Sequence, residues 1–321
     1  MIVPRTLALL PLTGVLMLTL GCTSPSTGIA ETPVNGSTSS VDAMYKSLAP
    51  RRAAVVPPSP PVTNVEALLR DLGRPVPFDS VFADMQKVPR FKDEFETTSQ
   101  FEERQAAALA KCQRRYLIDV PVDLEYVRYD ADKQVLVVAT YAMTNTVVSS
   151  EELGAVFGYG SELSMAGVEV SYTPLSSGNV VWSIPREQRD VGTYDGSNVF
   201  GATVTITKQE GIARGVFERE GKYEESIWTE TREPYVEGSH PVAFAINVDP
   251  DRAKAIKQGG LRAAIVVFPT APFYATGVDR FAPTIRAPYD RTTEVRYLIG
   301  NIEGAAIYNA SEELLATRAT R

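Results

Sequence analysis

The sequence predicts an α+β fold: short N-terminal helices, then a β-rich, mainly antiparallel domain with one short helix near the C-terminus. Three observations predict it. Apolar residues recur at helical spacing between Asn64 and Cys112, and from Leu117 onward the period falls to two, with turn residues between the runs. Near the end, PVAFAINV, DPDRAKAIKQGG and LRAAIVVFP read as strand, helix, strand.

The chain opens MIVPRTLALLPLTGVLMLTLGC, with one charge at Arg5 and an apolar run from Leu7 to Leu20. A spanning helix needs about 20 apolar residues. This run is shorter and is broken by Pro11 and Gly14, so residues 1–21 read as a cleaved secretory signal. Its ending, Thr19-Leu20-Gly21-Cys22, resembles a bacterial lipobox, with Thr and Leu in reversed order. The resemblance implies lipidation of Cys22 and a palmitate-bearing lipoprotein anchored in the membrane. Thr23 rather than Asp follows the cysteine, which by resemblance to Gram-negative sorting implies the outer membrane of the cell envelope, on its periplasmic or surface face. The competing reading is an ordinary signal cut near Ala30.

Loss of residues 1–21 leaves 31 of the 32 basic side chains against 39 acidic, a balance of −8. Nucleic acid calls for clustered basic surface, so it is not an expected partner. With Cys22 acylated, only Cys112 remains, and no internal disulfide can form.

Residues 22–63 are rich in Ser, Thr and Pro and end in PPSPP, the composition of a disordered tether with a stiffened end. The folded domain is expected over 64–310, with 311–321 as a polar tail. Asn64 caps a first short helix through Val65, Leu68 and Leu69, and Gly73 stops it. Ser80 to Gln86 reads as another helical segment. In FKDEFETTSQFEERQAAALAKC, Ser99-x-x-Glu102 fits a capping box, and Phe101, Ala108, Leu109 and Cys112 share one face. Asp93, Glu94, Glu96 and Glu102 offer a calcium reading, but their order lacks the Asp-x-Asp-x-Asp-Gly of a dedicated loop, so capping is preferred.

Leu117–Tyr129 and Gln134–Met143 predict a hairpin across Asp130–Lys133. Leu163–Tyr172, Asn179–Ile184, Asn198–Thr207, Ala213–Glu220 and Tyr223–Thr231 predict further strands, and GTYDGSNVFGAT predicts turns or a bulge. Asp249 caps the late helix with Pro250 in its first turn. Glu294–Ile299 and Glu303–Tyr308 predict a terminal hairpin about Gly300-Asn301.

FKDEFETTSQFEER, TYDGSNVFGATVTITK and the terminal strand pair together resemble an uncharacterised family of bacterial secreted and lipid-anchored proteins, a domain of unknown function with an EFETT-type motif. The resemblance spans roughly residues 75 to 310. It implies an envelope address and a mixed helix and sheet domain, and brings no catalytic residues.

Catalytic constellations are sparse. His240, the one histidine, sits in the turn-like EGSHPV with no Gly-x-Ser-x-Gly elbow to serve, and one His with one Cys cannot complete a common zinc set. No phosphate loop occurs, so no cofactor or metal is expected. Asp195, Glu218 and Glu225 are candidates for glycosidase carboxylates, and Tyr126, Tyr129, Tyr141 and Tyr172 for stacking on sugars. The expected role is that of a non-enzymatic envelope lipoprotein with a protein or cell-wall partner. The alternatives are a small-ligand or glycan-binding periplasmic module and, third, a hydrolase.

Overall fold

The computed structural model describes residues 64–143, 150–166, 180–197, 200–218 and 242–319. Cys22, the signal and tether, Tyr172, Glu225, His240 and the strand expected over 223–231 lie outside them.

Among the described residues three helices come first: α1 (Val65–Leu72), α2 (Phe78–Met85) and α3 (Thr98–Leu109). Asn64 Oδ1 accepts from Ala67 N at 2.9 Å, and Gly73 ends α1 at φ +76°, a backbone setting glycine adopts without strain. The capping box of α3 stands two residues earlier than Ser99-x-x-Glu102. Thr97 Oγ1 accepts from Gln100 N at 3.3 Å, and Gln100 Oε1 accepts from Thr97 N at 2.8 Å. Thr97 is extended, as a cap must be, whereas Ser99 is already inside the first turn.

The body is a six-stranded sheet with a three-stranded one against it. The large sheet runs β1 (Tyr116–Pro121), β7 (Leu261–Phe281), β8 (Tyr289–Asn309), β5 (Thr203–Glu218) and β4 (Val180–Ser197), with β9 (Leu314–Ala319) also on β8. The small sheet is β2 (Val127–Asp130), β3 (Val135–Ala139) and β6 (Val242–Asn247). Among the described residues the strands pair antiparallel except β5 with β8.

Three expectations are corrected. Gly300-Asn301 is no turn: β8 runs through it unbroken, and a Cβ on Gly300 would lie 2.5 Å from Phe268 O, so glycine admits the close approach of β7 there. The stretch read as a polar tail carries β9, which pairs Gly304–Tyr308. Leu163 lies not on a strand but in the short helix α5 (Glu162–Met165), capped by Ser161, after α4 (Ser150–Phe157). The strand, helix and strand expected near the end are present as β6, α6 (Pro250–Gly259) and β7, with β6 in the small sheet and β7 in the large one.

On one edge, β8 changes partner along its length. Tyr289–Ile299 takes β5 and Gly304–Tyr308 takes β9, while β7 follows the other edge throughout. The β1/β9 half is covered on both faces. Val65 and Leu69 of α1 sit on Leu117, Ala264, Val266 and Ala306. On the other face Ile118, Ala263, Ile265 and Ile307 share a core with Leu136 and Val138 of the small sheet and Ile256 of α6. Next along, α4 covers one face of the β4/β5 half through Leu153, Val156 and Phe157 on Phe217, Val295 and Tyr297. It comes so close that a Cβ on Gly277 would lie 2.4 Å from Ala155 O. Phe78, Phe82 and Met85 of α2 join the core of Trp182, Ile184 and Leu298. Farther out, beyond Glu187 on β4, exposed side chains predominate along the strand.

Candidate functional site

Helix α3 and the extended stretch before it form an open groove of about 590 Å³, within the usual range for small-molecule sites. Arg104, Ala107 and Ala108 of α3 line one wall at spacings of three and four, the stripe one helix face presents, with Lys111 in the turn after it. Residues 86–91 form the floor. Gln105 fastens it by donating Nε2–H to Pro89 O at 2.9 Å, and Arg104 Nη2 donates to Phe91 O at 3.1 Å.

Arg90 is the fixed centre. Its guanidinium lies 3.9 Å from the Tyr274 ring centroid and 4.8 Å from that of Phe91. Nη2 donates to Glu162 Oε1 at 2.6 Å and Nη1 to Tyr274 O at 3.2 Å. An arginine packed against two rings and hydrogen-bonded at both Nη atoms is a preset group rather than a mobile one. Lys87 and Lys111 add charge at the rim. Lys87 is bridged to Asp84 at 2.6 Å, whose carboxylate pushes the lysine up from its ordinary range. Arg104 grips Glu96 with Nε and Nη2 at 2.9 and 2.8 Å, which holds the Glu96 carboxyl below the usual range. That pair uses one carboxylate of the calcium reading as a brace for the segment entering α3. Among the described residues no three His, Cys, Asp or Glu side chains are grouped to hold a metal ion.

Cys112 follows α3 half-buried, its Sγ 3.5 Å from Ala108 O, and burial pushes the thiol up, away from the reactive thiolate. Burial likewise pushes Tyr116 beside it up to about 12.

The chain matches no protein-family model, no curated protein and no solved structure. The groove is therefore read from its own chemistry.

Of the hydrolase candidates, Asp195 and Glu218 do not converge, and Glu225 lies outside the described residues. Asp195 is exposed and accepts from Thr205 Oγ1 at 2.8 Å near the outer end of β5, whereas Glu218 is the last residue of that strand. Thirteen residues of strand separate Thr205 from Glu218, roughly 43 Å at about 3.3 Å each. A glycosidase pair stands about 5–9.5 Å apart, so these two do not form one.

Glu218 has a different task. One of its carboxyl oxygens accepts from Ile302 N at 2.9 Å, on the edge of β8 that β5 has just left and β9 takes up at Gly304. It stands in for the missing strand. Burial pushes this carboxyl up to about 7 against the pull of that amide.

A second charged cluster lies under α4. Arg186 forms a bridge with buried Glu152, and Tyr297 O–H donates to Glu152 Oε2 at 3.4 Å. Burial, with Arg291 nearby, lowers the Arg186 guanidinium, and burial pushes the Tyr297 phenol above its ordinary range. The cluster joins the helix to the sheet. Of the tyrosines considered for sugar stacking, Tyr129 donates to Val248 O at 3.0 Å, while Tyr126 and Tyr141 fall in 3₁₀ turns rather than strands.

The groove was not singled out in the sequence, though half its signal is there. Lys87-Val-Pro-Arg-Phe-Lys92 interleaves cations with apolar residues, and Lys111 lies seven residues after Arg104. Glu162 and Tyr274, which fix Arg90, are 72 and 184 residues away from it, and no local pattern announces them.

Proposed function

We propose that the chain is a non-enzymatic bacterial envelope lipoprotein, held to the outer membrane through acylated Cys22, whose folded body binds an acidic segment of an envelope protein. The anchor is supported by the signal and the Thr19-Leu20-Gly21-Cys22 ending. One observation carries the binding role: a cation fixed against two aromatic rings in a groove with Lys87 and Lys111 at its rim. A carboxylate meets a preset charge there, and its apolar neighbours meet Val88, Pro89 and the alanines of α3. In this reading the short N-terminal helices are a binding module laid on a β scaffold.

A glycan or small-ligand module is the second reading, favoured by the Phe91 and Tyr274 rings at Arg90 and by the groove's volume. One titration separates the two. Acidic peptides and acidic oligosaccharides are added to the purified protein and its melting temperature is followed, with Lys87→Glu and Lys111→Glu as variants. Peptide binding at least tenfold weaker in the double variant, with an unchanged melting temperature of the unliganded protein, is the expected result. Equal binding by wild type and variant, or no shift with any ligand, removes the groove from consideration. Labelled palmitate entering the wild type but not Cys22→Ser tests the anchor separately.

A further inference from the structure

The outer end of the large sheet differs in composition from the rest of the surface. Of the eleven large hydrophobic side chains exposed among the described residues, seven lie there: Val191, Tyr194, Phe200, Val278, Phe281, Ile285 and Tyr289. Scattered singly, such residues need no explanation; grouped, they mark a contact surface. Phe200 and Ile285 sit in two hairpin connections, one joining β4 to β5 and one joining β7 to β8, and the other five on the strands leading to them. The parallel pairing of Thr207 with Tyr289 places the tips side by side, with β5 beginning four residues farther out. Phe200 is 90% exposed and Ile285 53%.

The charge of the β7–β8 turn runs against that of the whole, while residues 191–206 of the other tip carry one acid, Asp195, and no base. On a chain of net charge −7, the turn from Arg280 to Arg291 carries three arginines and one acid, Asp290, whose carboxylate accepts from Tyr194 O–H at 3.1 Å. Arg280 and Arg286 are exposed, and Arg291 lies 5.3 Å from the Phe281 ring centroid. This turn is also braced: Thr284 N donates to Ala287 O at 2.9 Å, Ala287 N to Thr284 Oγ1 at 3.0 Å, and Thr207 N to Pro288 O at 2.9 Å. The exposed apolar groups of this turn are held out by the backbone and need not be ordered on binding.

We propose that the two tips are a membrane-docking surface for anionic lipid. Phe200 and Ile285 enter the boundary between headgroups and acyl chains, Tyr194 and Tyr289 sit at headgroup level, and Arg280 and Arg286 meet the lipid phosphates. The proposal takes its bilayer from the envelope reading but is independent of acylation at Cys22 and of the groove.

The test uses the chain from Thr23 onward, which has no acyl chain and keeps every described residue. It is floated with vesicles of phosphatidylethanolamine and phosphatidylglycerol, and with vesicles of phosphatidylcholine alone. Binding to the anionic vesicles, weakened by salt and reduced at least tenfold in Phe200→Ser/Ile285→Ser, is expected. Arg280→Glu/Arg286→Glu is expected to remove the preference for anionic lipid. Tyr159→Ser, an exposed aromatic between α4 and α5, should bind as wild type. Absence of binding, equal binding by the tip variants, or equal loss in Tyr159→Ser overturns the proposal. So does a lipid-free dimer, seen by sedimentation, that the tip variants abolish, because the tips would then meet a second copy instead.

Discussion

The two halves of the large sheet share strands β7 and β8, yet one half is interior and the other is largely surface. Around Ile265 and Ala306 both faces are roofed, by α1 and by the small sheet. Past Glu294 the same two strands carry Asp290, Thr292, Arg280 and Phe281 into solvent. Strands are hydrogen-bonded in both, and register shifts fall in both, at Val266/Val267 and Pro269/Tyr274 of β7 and at two places in β4. The difference lies in what covers the sheet, so hydrogen-bonded register and burial are separable properties here. An ion pair should contribute to stability according to the half it occupies.

The largest expected effect falls in the roofed half. Arg115 binds Glu303 through Nε and Nη2, at 2.5 and 3.1 Å, with both side chains mostly buried. Glu303→Ala leaves a buried guanidinium without its carboxylate and should cost about 3–5 kcal/mol, measured by urea unfolding. A loss below about 1 kcal/mol would erase the distinction between the halves.

Glu218, at the seam where β8 changes partner, should give a pH-dependent effect of intermediate size. Its folded pKa is raised from 4.5 to about 7, so between those values the folded state binds more protons than the unfolded one. Stability therefore falls as pH rises through that window, by up to about 3 kcal/mol from this group. Glu218→Gln keeps an acceptor for Ile302 N and removes the slope. The variant should match wild type near pH 4.5 and exceed it above pH 7; parallel unfolding curves across the range would contradict the assignment.

The smallest effect belongs to the open half. Arg189 and Glu210 pair at 2.8 Å across β4 and β5, both largely exposed. Glu210→Ala should change stability by less than about 1 kcal/mol and lose even that in high salt. A larger, salt-independent loss would mean that something covers this part of the sheet.

Local chemistry was readable in the sequence to the extent that it is local. Asn64 and Gly73 bound α1 because a cap and a stop act within one turn. The capping box was displaced because Thr97 and Ser99 both offer a hydroxyl three residues before an acceptor, and only the backbone angles choose between them. The break at Gly300 was misread because a glycine that admits β7 closely and a glycine that turns the chain look alike in one dimension. Leu163 was assigned to a strand because a four-residue helix is too short to show its period. In the groove, the cations of Lys87 to Lys92 and of α3 were visible. Their convergence on Tyr274 is a tertiary fact, set when β7 is laid beside the α2 segment.

The bulges in β4 bear on how copies of this chain behave when crowded together. Among the described residues β4 pairs only with β5, and an unprotected strand in that position is a template on which other chains stack into fibrils. The register shifts between Ile184 and Glu187 and again between Asp190 and Gly192, and Pro185 has no N–H to offer an incoming strand. Between the two shifts stand Glu187, Arg189 and Asp190, whose charges any newcomer would have to match. The irregularity of β4 thus works against runaway aggregation along one side of the molecule and leaves the hairpin tips beyond it available for chosen encounters.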